Sequence, residues 1–485
     1  MINVGEKGTF LPTKKFSTSP TDIDAIFENL RAKEISRIAV YFHGGLVNEH
    51  NGVAGAQLMN EHLEEADTYP ISFVWETGFG ETIKERIFSI NQTKLFHKLV
   101  KFVMKCVGTK LGIGIGGRGF SELTDTDILK ELRERNIPFE NIEFLADNRL
   151  KLKNQMADEV TWLEKLIAEL NLGIHSDEEF LELIEDIDVD LELIDQDVIE
   201  LHVGDDSRGV LDMAKFSKAL AKVTFKVIKR FVIHRDHGFY PTVFEEVLRE
   251  LYIANFGAWL WSGMKNKASE MWQSNQGLSG DKMHVGMYFI EKLNAYAKNR
   301  EVSIDLVAHS AGAIAVCNML RAINGTYKNF SVRNILFMAP ACTSELFHKE
   351  VVTKQYRFKR FRMFTMNDVV ESNDALIDKL PGIYPRSLLY LVSGILEKEG
   401  NSYDEPILGM ERYFNWEIYT ANNPVLNAVS TFLNQANRVV LSPTNGNEPG
   451  LNSMADDHGF FNEDPETLNS IKSILNERVN QVVEN

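Results

Sequence analysis

The sequence is poor in cysteine and lacks long apolar runs. Its three cysteines, Cys106, Cys317 and Cys342, form no CxxC pair, which favours a reducing compartment and argues against a disulfide framework. No apolar run reaches about 18 residues, so the sequence predicts no membrane span. Residues 1–20 contain no apolar segment of the signal-peptide kind, and a cytoplasmic location is therefore expected.

Basic residues are also in the minority. The 52 Lys and Arg residues face 69 Asp and Glu residues, giving a net charge of −17. This balance argues against a general nucleic-acid binder, because phosphate contacts need clustered Lys and Arg. With 485 residues, 44% hydrophobic and 25% charged, the chain is typical of a globular protein with two domains, or of one domain with a large insertion.

Short apolar and β-branched segments alternate with helical patterns. The predicted strands are Arg37–Phe42, Ile71–Trp75, Ser303–Val307, Asn334–Met338, Arg362–Met366 and Arg438–Leu441. The predicted helices include Ile23–Lys33, Val53–Glu65, Ala311–Asn324 and Leu468–Val483, the last with Asp464 as cap and Pro465 at its first position. Nearly continuous apolarity suits strands buried on both faces of a parallel sheet. The sequence therefore predicts an α/β fold with a mostly parallel sheet.

The alternation of strands and helices stops between about Glu81 and Asn294, where the patterns are mostly helical. A strongly acidic stretch, Asp177–Asp206, adds a shift in composition. We therefore predict a catalytic domain formed by residues 1–80 and 295–485, with residues 81–294 inserted as a mainly helical cap.

The most informative motif lies between Asp305 and Val316. An apolar run ends in Ala308-His-Ser310-Ala-Gly312, and an Ala-rich helical pattern follows. Small residues on both sides of a serine allow a tight turn from strand to helix, the nucleophile elbow of serine hydrolases. The start of the following helix favours a developing negative charge. The motif predicts Ser310 as a nucleophile.

A serine nucleophile needs a base and an acid that orients the base. In elbow-type hydrolases the acid and the histidine follow the serine in that order, near the carboxyl ends of strands. Asp368, just after a predicted strand, is the candidate acid, with Glu371 and Asp374 as close competitors. His458, in the loop before the last helix, is the candidate base.

The oxyanion of the reaction also needs hydrogen-bond donors. Gly44 and Gly45 follow the first predicted strand, where bare backbone can approach a substrate. The predicted donors are N–H groups of the Gly44–Leu46 turn and of Ala311, the residue after the nucleophile. The alternative is an ordinary strand-to-loop glycine turn.

These four elements resemble the α/β-hydrolase superfamily, in its serine lipase and esterase-like form. The resemblance rests on His43-Gly44-Gly45, on Ala308–Gly312, on Asp368 after a strand and on His458-Gly459-Phe460 before the final helix. It covers about residues 36–80 and 295–485, and Ala replaces Gly at the first elbow position, as in some lipases. It implies Ser310 as nucleophile, His458 as base, Asp368 as acid, and an acyl-enzyme intermediate that water hydrolyses. Because no pair of leading strands is visible before Arg37, we expect a trimmed sheet.

Two lysine-rich helical patterns lie in the predicted cap. Lys94, Lys98, Lys101 and Lys105 form one stripe, and Lys215–Lys229 repeats the pattern. Basic amphipathic helices in an acidic protein can lie on an anionic membrane surface. The alternative is a pair of cap helices whose lysines face water.

The sequence thus predicts a serine hydrolase that cleaves an ester of an acyl or lipid-like substrate. Alternatives are a lipase or phospholipase that docks on membranes through the lysine helices, a thioesterase or acyltransferase, and a non-catalytic interaction protein. No metal or organic cofactor is expected. The glycine-rich segment Gly112–Gly117 follows a helical pattern rather than a strand and does not indicate a dinucleotide site. The oligomeric state is left open.

Overall fold

The fold was obtained as a computed structural model of the chain. It describes residues 1–11, 17–45, 49–75, 79–112, 114–115, 118–119, 144–178, 199–201, 209–211, 213–252, 256–324, 327, 329–376, 384–397, 403–435 and 437–477.

A parallel sheet of seven strands organises the fold. Its strands are β1 (Ile2–Val4), β2 (Arg37–Phe42), β3 (Tyr69–Trp75), β4 (Ser303–His309), β5 (Ser331–Met338), β6 (Phe358–Met366) and β7 (Val439–Ser442). Their spatial order is β1-β3-β2-β4-β5-β6-β7, and every pairing is parallel. The predicted α/β class and mostly parallel sheet are confirmed.

The sequence missed one strand at the edge of the sheet. β1 pairs with β3, with Ile2 opposite Phe73. Three residues are too few to show a periodic pattern, and β1 contains the polar Asn3. The side chain of Thr18 accepts the Asn3 N–H at 2.8 Å. The hydrogen-bonding need of this backbone N–H in the buried strand is therefore met by a side chain. Among the described residues before Arg37, the sheet therefore has one leading strand.

Helices connect the strands. They are α1 (Pro20–Ala32), α2 (Glu49–Glu64), α3 (Phe79–Asn91), α4 (Lys94–Leu111), α5 (Phe144–Gln155), α6 (Glu159–His175), α7 (Met213–Val232), α8 (Phe239–Leu251), α9 (Phe256–Glu270), α10 (Val285–Ala297), α11 (Gly312–Ile323), α12 (Ser344–Glu350), α13 (Asp368–Asn373), α14 (Leu388–Leu391), α15 (Arg412–Asn415), α16 (Glu417–Thr420), α17 (Pro424–Leu433) and α18 (Pro465–Asn476). Short 3₁₀ turns span Glu6–Gly8, Gly280–Lys282, Val352–Arg357 and Phe460–Asn462, and a π-helical turn spans Val392–Leu396.

The last helix starts as its sequence predicts. The Asp464 carboxylate accepts the N–H of Thr467 at 2.9 Å, and Pro465 occupies the first turn. The helix ends at Asn476, and Glu477 has an extended backbone. The rest of the predicted helix, residues 478–483, lies outside the described residues.

Three arginines of the sheet hold the carboxyl end of α18. Arg37 and Arg333 donate to the carbonyl of Leu475, and Arg360 donates to the carbonyl of Ile474. The last carbonyls of a helix lack partners within the helix, and positive charge is favourable there. These bonds anchor α18, and with it the loop that enters it, to strands β2, β5 and β6.

One hydrophobic core lies between the sheet and two of its helices. Tyr41, Val307 and Phe364 of the sheet are fully buried in it, together with Met59 of α2 and Leu475 of α18. Burial of this apolar surface drives the packing of the two helices against the sheet.

The chain divides into two compact units. The first comprises Met1–Thr82, Leu260–Asp374 and Pro406–Asn485 and contains the seven-stranded sheet. The second comprises Ile83–Trp259 and Ala375–Glu405 and contains mainly helices, with two-stranded ladders at residues 114–119 and 199–211. The division differs from the predicted cap of residues 81–294 at two places. Residues 260–294 group with the sheet, and residues 375–405 group with the inserted helices.

An ion pair and a hydrogen bond link residues 375–405 to the second unit. Arg235 donates to the Asp404 carboxylate at 2.7 Å, and the hydroxyl of Tyr384 donates to Glu245 at 2.6 Å. These contacts join partners more than 130 positions apart in the chain. No local sequence pattern reports such pairs.

The lysine stripe of the second unit lies on α4, as predicted. Lys98 forms an ion pair with Asp177 at 3.3 Å, and its side chain is only 18% exposed. On α7, Lys226 and Lys229 pair with Glu250 and Glu159. Membrane contact through Lys94, Lys98, Lys101 and Lys105 stays a prediction. Among the described residues, no helix combines the length and apolarity needed to cross a bilayer.

Candidate active site

The site lies where the sheet changes winding direction. Strands β2 and β4 are neighbours, with Phe42 opposite Ala308. The chain leaves β2 toward β3 on one side, and leaves β4 toward β5 on the other. In parallel sheets this arrangement opens a crevice at the carboxyl ends of the two strands. The segments that follow β2 and β4 therefore meet at that edge.

Ser310 occupies a strained turn between β4 and α11. Its φ is +51°, in the left-handed region that L-residues rarely adopt at a cost of about 1–3 kcal/mol. The turn ends a buried strand and starts a buried helix, and Ser310 itself is 3% exposed. This is the geometry of the predicted nucleophile elbow.

The carboxyl end of β5 holds this strained residue on both sides. The Ser310 N–H donates to the carbonyl of Met338 at 2.8 Å, and the N–H of Ala341 donates to the Ser310 carbonyl at 3.0 Å. Between them, Ala339 has a φ of +40°, which turns the chain back toward the elbow. The backbone of Ser310 is thus fixed by a neighbouring strand.

A glycine is required at position 312 because the start of α11 lies very close to the end of β2. A Cβ at this position would lie 2.3 Å from the carbonyl oxygen of Phe42. The helix after Ser310 therefore starts in direct contact with the end of β2, as the small residue in the motif predicted.

His43 orients the turn that follows β2. Its Nε2 accepts the N–H of Trp75 at 3.1 Å, so the proton of the neutral ring is on Nδ1, which donates to the Gly44 carbonyl at 2.6 Å. Burial lowers the pKa of His43 to about 4, and the ring is neutral at pH 7. Because a trans peptide is planar, the Gly45 N–H points away from the Gly44 carbonyl and from His43.

Gly44 and Gly45 lie against the elbow. A Cβ on Gly44 would lie 3.2 Å from the Cβ of Ser310, and a Cβ on Gly45 would lie 2.8 Å from the Cβ of Ala311. The structure thus brings these predicted oxyanion-turn residues next to the predicted nucleophile. Leu46, the third residue of the predicted turn, lies outside the described residues.

Gly45→Ala is expected to lower kcat/KM for ester hydrolysis by about 10²-fold, the usual effect of displacing one oxyanion donor. The added methyl group would meet Met264 Sδ at 2.5 Å as well as Ala311, so the turn must shift. Gly263→Ala is the matched control, because a Cβ there meets nothing within 4 Å. Equal rates for the two variants would contradict an oxyanion role for the turn.

His458 reaches the elbow from the loop between β7 and α18. Its Nε2 lies 2.9 Å from Ser310 Oγ, and the residue is 6% exposed. The loop is fixed by Asp464, whose carboxylate accepts the Met454 N–H at 2.8 Å. The predicted base and the predicted nucleophile, 148 positions apart, are therefore within hydrogen-bond distance.

Asp368, the predicted acid, begins α13 directly after β6. The side chain of Asn367 caps this helix by accepting the N–H of Val370 at 3.0 Å. The Asp368 carboxylate receives two hydrogen bonds from Arg412, at 3.0 and 3.1 Å, and its N–H donates to Glu411 at 2.7 Å. A two-point guanidinium contact favours the charged carboxylate.

Asp374, a competitor for the role of the acid, contacts the His458 backbone. Its carboxylate accepts the His458 N–H at 3.0 Å. Asp368 as the acid therefore stays a prediction, and Glu371 and Asp374 stay its alternatives.

The sequence patterns assigned no individual role to His309, His43 or Arg412. His309 donates from Nε2 to the His458 carbonyl at 2.9 Å, His43 orients the predicted oxyanion turn, and Arg412 holds Asp368. The sequence could have indicated a role for His309, because this histidine lies between small residues at the end of an apolar segment. Arg412 carries no such signal, since its partner lies 44 positions away.

Comparison with known families supplies the deciding observation. A family model described as serine hydrolase matches residues 280–379, which include β4, the elbow, β5 and β6 and end just after Asp374. The match and the seven-stranded parallel sheet are consistent with each other. Together they fit an α/β-hydrolase-like serine hydrolase. Comparisons with curated proteins and with solved structures gave no match. The match includes the elbow of the serine hydrolase but neither Gly44 nor His458.

Proposed function

We propose that this serine hydrolase cleaves carboxylic esters, with Ser310 as nucleophile, His458 as base and Asp368 as acid. The observation that carries the proposal is the 2.9 Å separation of His458 Nε2 and Ser310 Oγ at a serine with φ of +51°. A neutral serine is a weak nucleophile, and a base at hydrogen-bond distance is what activates it.

In the first half of the reaction Ser310 Oγ attacks the ester carbonyl while His458 Nε2 takes the hydroxyl proton. The carbonyl oxygen becomes an oxyanion, which the N–H groups of the Gly44–Leu46 turn and Ala311 stabilise. The C–O bond of the ester then breaks, and protonated His458 returns the proton to the leaving alcohol. The acyl group stays on Ser310.

In the second half water replaces the alcohol. His458 removes a proton from water, and the hydroxide attacks the acyl carbonyl. When the bond to Ser310 Oγ breaks, the proton returns to the serine and the carboxylic acid leaves. The acid residue keeps the imidazole in one orientation and stabilises its protonated form. This chemistry needs no cofactor.

Asp368→Asn is expected to lower kcat by about 10⁴-fold, as the loss of the acid's charge does in other triads. Asp374→Asn keeps a carbonyl oxygen that can accept the His458 N–H and is expected to lose much less. The opposite order would identify Asp374 as the acid. Rates are compared per mole of folded protein, established by thermal melting.

Arg412→Gln is the matched control for that comparison. It breaks the same buried ion pair as Asp368→Asn but leaves the carboxylate in place. If Arg412→Gln loses as much activity as Asp368→Asn, the loss of the ion pair rather than the loss of the proposed acid's charge explains the effect.

The substrate is proposed as an acyl or lipid-like ester, because a large apolar insertion can exclude water and cover an acyl chain. A thioesterase would use the same acyl-enzyme, and an acyltransferase would replace water by another acceptor. A series of p-nitrophenyl esters and acyl thioesters of increasing chain length separates these alternatives by kcat/KM.

Labelling with a fluorophosphonate probe tests the proposal directly. The probe phosphonylates an activated serine and releases fluoride, and peptide mapping locates the adduct. We expect one adduct on Ser310 in the folded chain. A folded chain that remains unlabelled and hydrolyses none of the esters would overturn the proposed function.

A further inference from the structure

Both backbone polar groups of His458 are held by side chains from other segments. Its carbonyl accepts a hydrogen bond from His309 Nε2 at 2.9 Å, and its N–H donates to the Asp374 carboxylate at 3.0 Å. His309 belongs to the elbow, and Asp374 follows α13. The two contacts approach the same residue from separate parts of the sheet edge.

We infer that His309 is a positioning residue that, with Asp374, clamps the main chain of His458 and so sets its distance to Ser310. The inference rests on the proposed function for its catalytic meaning. Two neighbouring residues of the elbow then have different tasks: His309 holds the main chain of His458, and Ser310 is the nucleophile.

A clamp matters here because His458 lies in a loop. Loop backbones move more than strands, and catalytic geometry tolerates errors of only about 0.5 Å. The elbow, in contrast, is fixed by β5 through the hydrogen bonds of Ser310 to Met338 and Ala341. His309, which is next to Ser310 in the chain, holds the His458 carbonyl. If the elbow or the loop shifts, the base therefore moves together with the nucleophile.

The surroundings of His309 define which ring nitrogen donates. A carbonyl only accepts, so Nε2 carries the proton. Burial lowers the pKa of His309, and the ring is therefore neutral with a lone pair on Nδ1. That nitrogen faces the oxyanion turn, since a Cβ on Gly44 would lie 2.9 Å from it.

The ring of His309 also packs against the ring of His458. Their centroids are 5.4 Å apart and their planes are tilted by 36°, and both residues are under 10% exposed. His309 is thus held between the oxyanion turn and the base. It contacts all three parts of the proposed machinery without contacting the reacting bond.

Two amide variants of His309 test the clamp. In His309→Gln the amide nitrogen can reach the position of ring Nε2 and donate to the His458 carbonyl. In His309→Asn the nitrogen ends near the position of Nδ1 and cannot reach it. The pair shares polarity and lack of charge, so the difference between them isolates the hydrogen bond to His458. His62→Asn, at the far end of α2 from the oxyanion turn, controls for the loss of a histidine.

The first measurement is the rate of Ser310 labelling by a fluorophosphonate. We expect His309→Asn to label about 10- to 100-fold more slowly than the parent, the usual effect of a displacement near 1 Å, and His309→Gln to recover most of the rate. Parent-like labelling of His309→Asn, or equal losses in both variants at equal melting temperature, would overturn the clamp.

The second measurement does not depend on activity. Nitrogen-15 NMR of histidine-labelled protein reports the tautomer of each ring, and His309 is expected as the Nε2–H form. A proton on Nδ1 would overturn the clamp. If the parent fails to label but His309 shows the Nε2–H form and His309→Asn shifts the His458 ring signals, the clamp stands and the proposed function fails.

Discussion

Ser310→Ala is expected to abolish fluorophosphonate labelling and to lower kcat for ester hydrolysis by about 10⁶-fold, as removing the nucleophile does in other serine hydrolases. The variant deletes the one atom that would form the acyl-enzyme. The residual rate is what the oxyanion donors and substrate binding supply without a nucleophile. Initial rates on the best p-nitrophenyl ester, with intact-mass measurement of the adduct, check the expectation.

The effect of Ser310→Ala is expected to be chemical rather than structural. Alanine keeps the Cβ, and the backbone bonds of residue 310 to Met338 and Ala341 do not involve the hydroxyl. The melting temperature should therefore stay near that of the parent. Ser331→Ala, at the exposed start of β5 on the opposite edge of the sheet, is the control for losing a serine hydroxyl. Continued labelling of Ser310→Ala would assign the nucleophile elsewhere.

His458→Ala is expected to produce a loss of similar size, about 10⁶-fold in kcat, because nucleophile and base act as one unit. His458 Nε2 is the acceptor that the described residues place at hydrogen-bond distance from Ser310 Oγ, so the variant loses the group that takes the serine proton. The same reasoning predicts that the double variant Ser310→Ala/His458→Ala is no slower than either single variant. Steady-state kinetics of the three variants check both statements.

His62→Ala is the control for His458→Ala, since it removes an imidazole on α2 away from the elbow. It should hydrolyse esters at the parent rate. Near-parent activity in His458→Ala would move the role of the base to another group. Losses that multiply in the double variant would show that Ser310 and His458 act independently, against a shared proton transfer.

Local sequence patterns were sufficient for most of the sheet and for the elbow. A strand buried on both faces is apolar along its length, so β2 to β7 were visible as short apolar segments. The elbow was visible because the close contact of Gly312 with Phe42 permits only a small residue. The cap of α18 was visible because Asp464 bonds the N–H of a residue three positions later.

Other features have no local signature. β1 is three residues long and pairs with a strand about 70 positions away. Residues 375–405 join the second unit through ion pairs such as Arg235 with Asp404, and the charges of such pairs look like ordinary surface charges in the sequence. The predicted boundaries of the inserted region therefore differ from those of the compact units.

The sequence by itself determined the fold class, the strands that follow one another in the sheet and the order of serine, acid and histidine candidates. Those properties depend on neighbouring residues or on chain order. Only the tertiary structure decided that His458 Nε2 lies 2.9 Å from Ser310 Oγ, that Asp368 is engaged by Arg412, and that His309 and Asp374 hold the His458 backbone. Such contacts join segments that the parallel sheet brings to one edge, and their distances follow from packing rather than from spacing along the chain. The elbow was therefore readable in advance, while the hydrogen bonds that fix its partners were not.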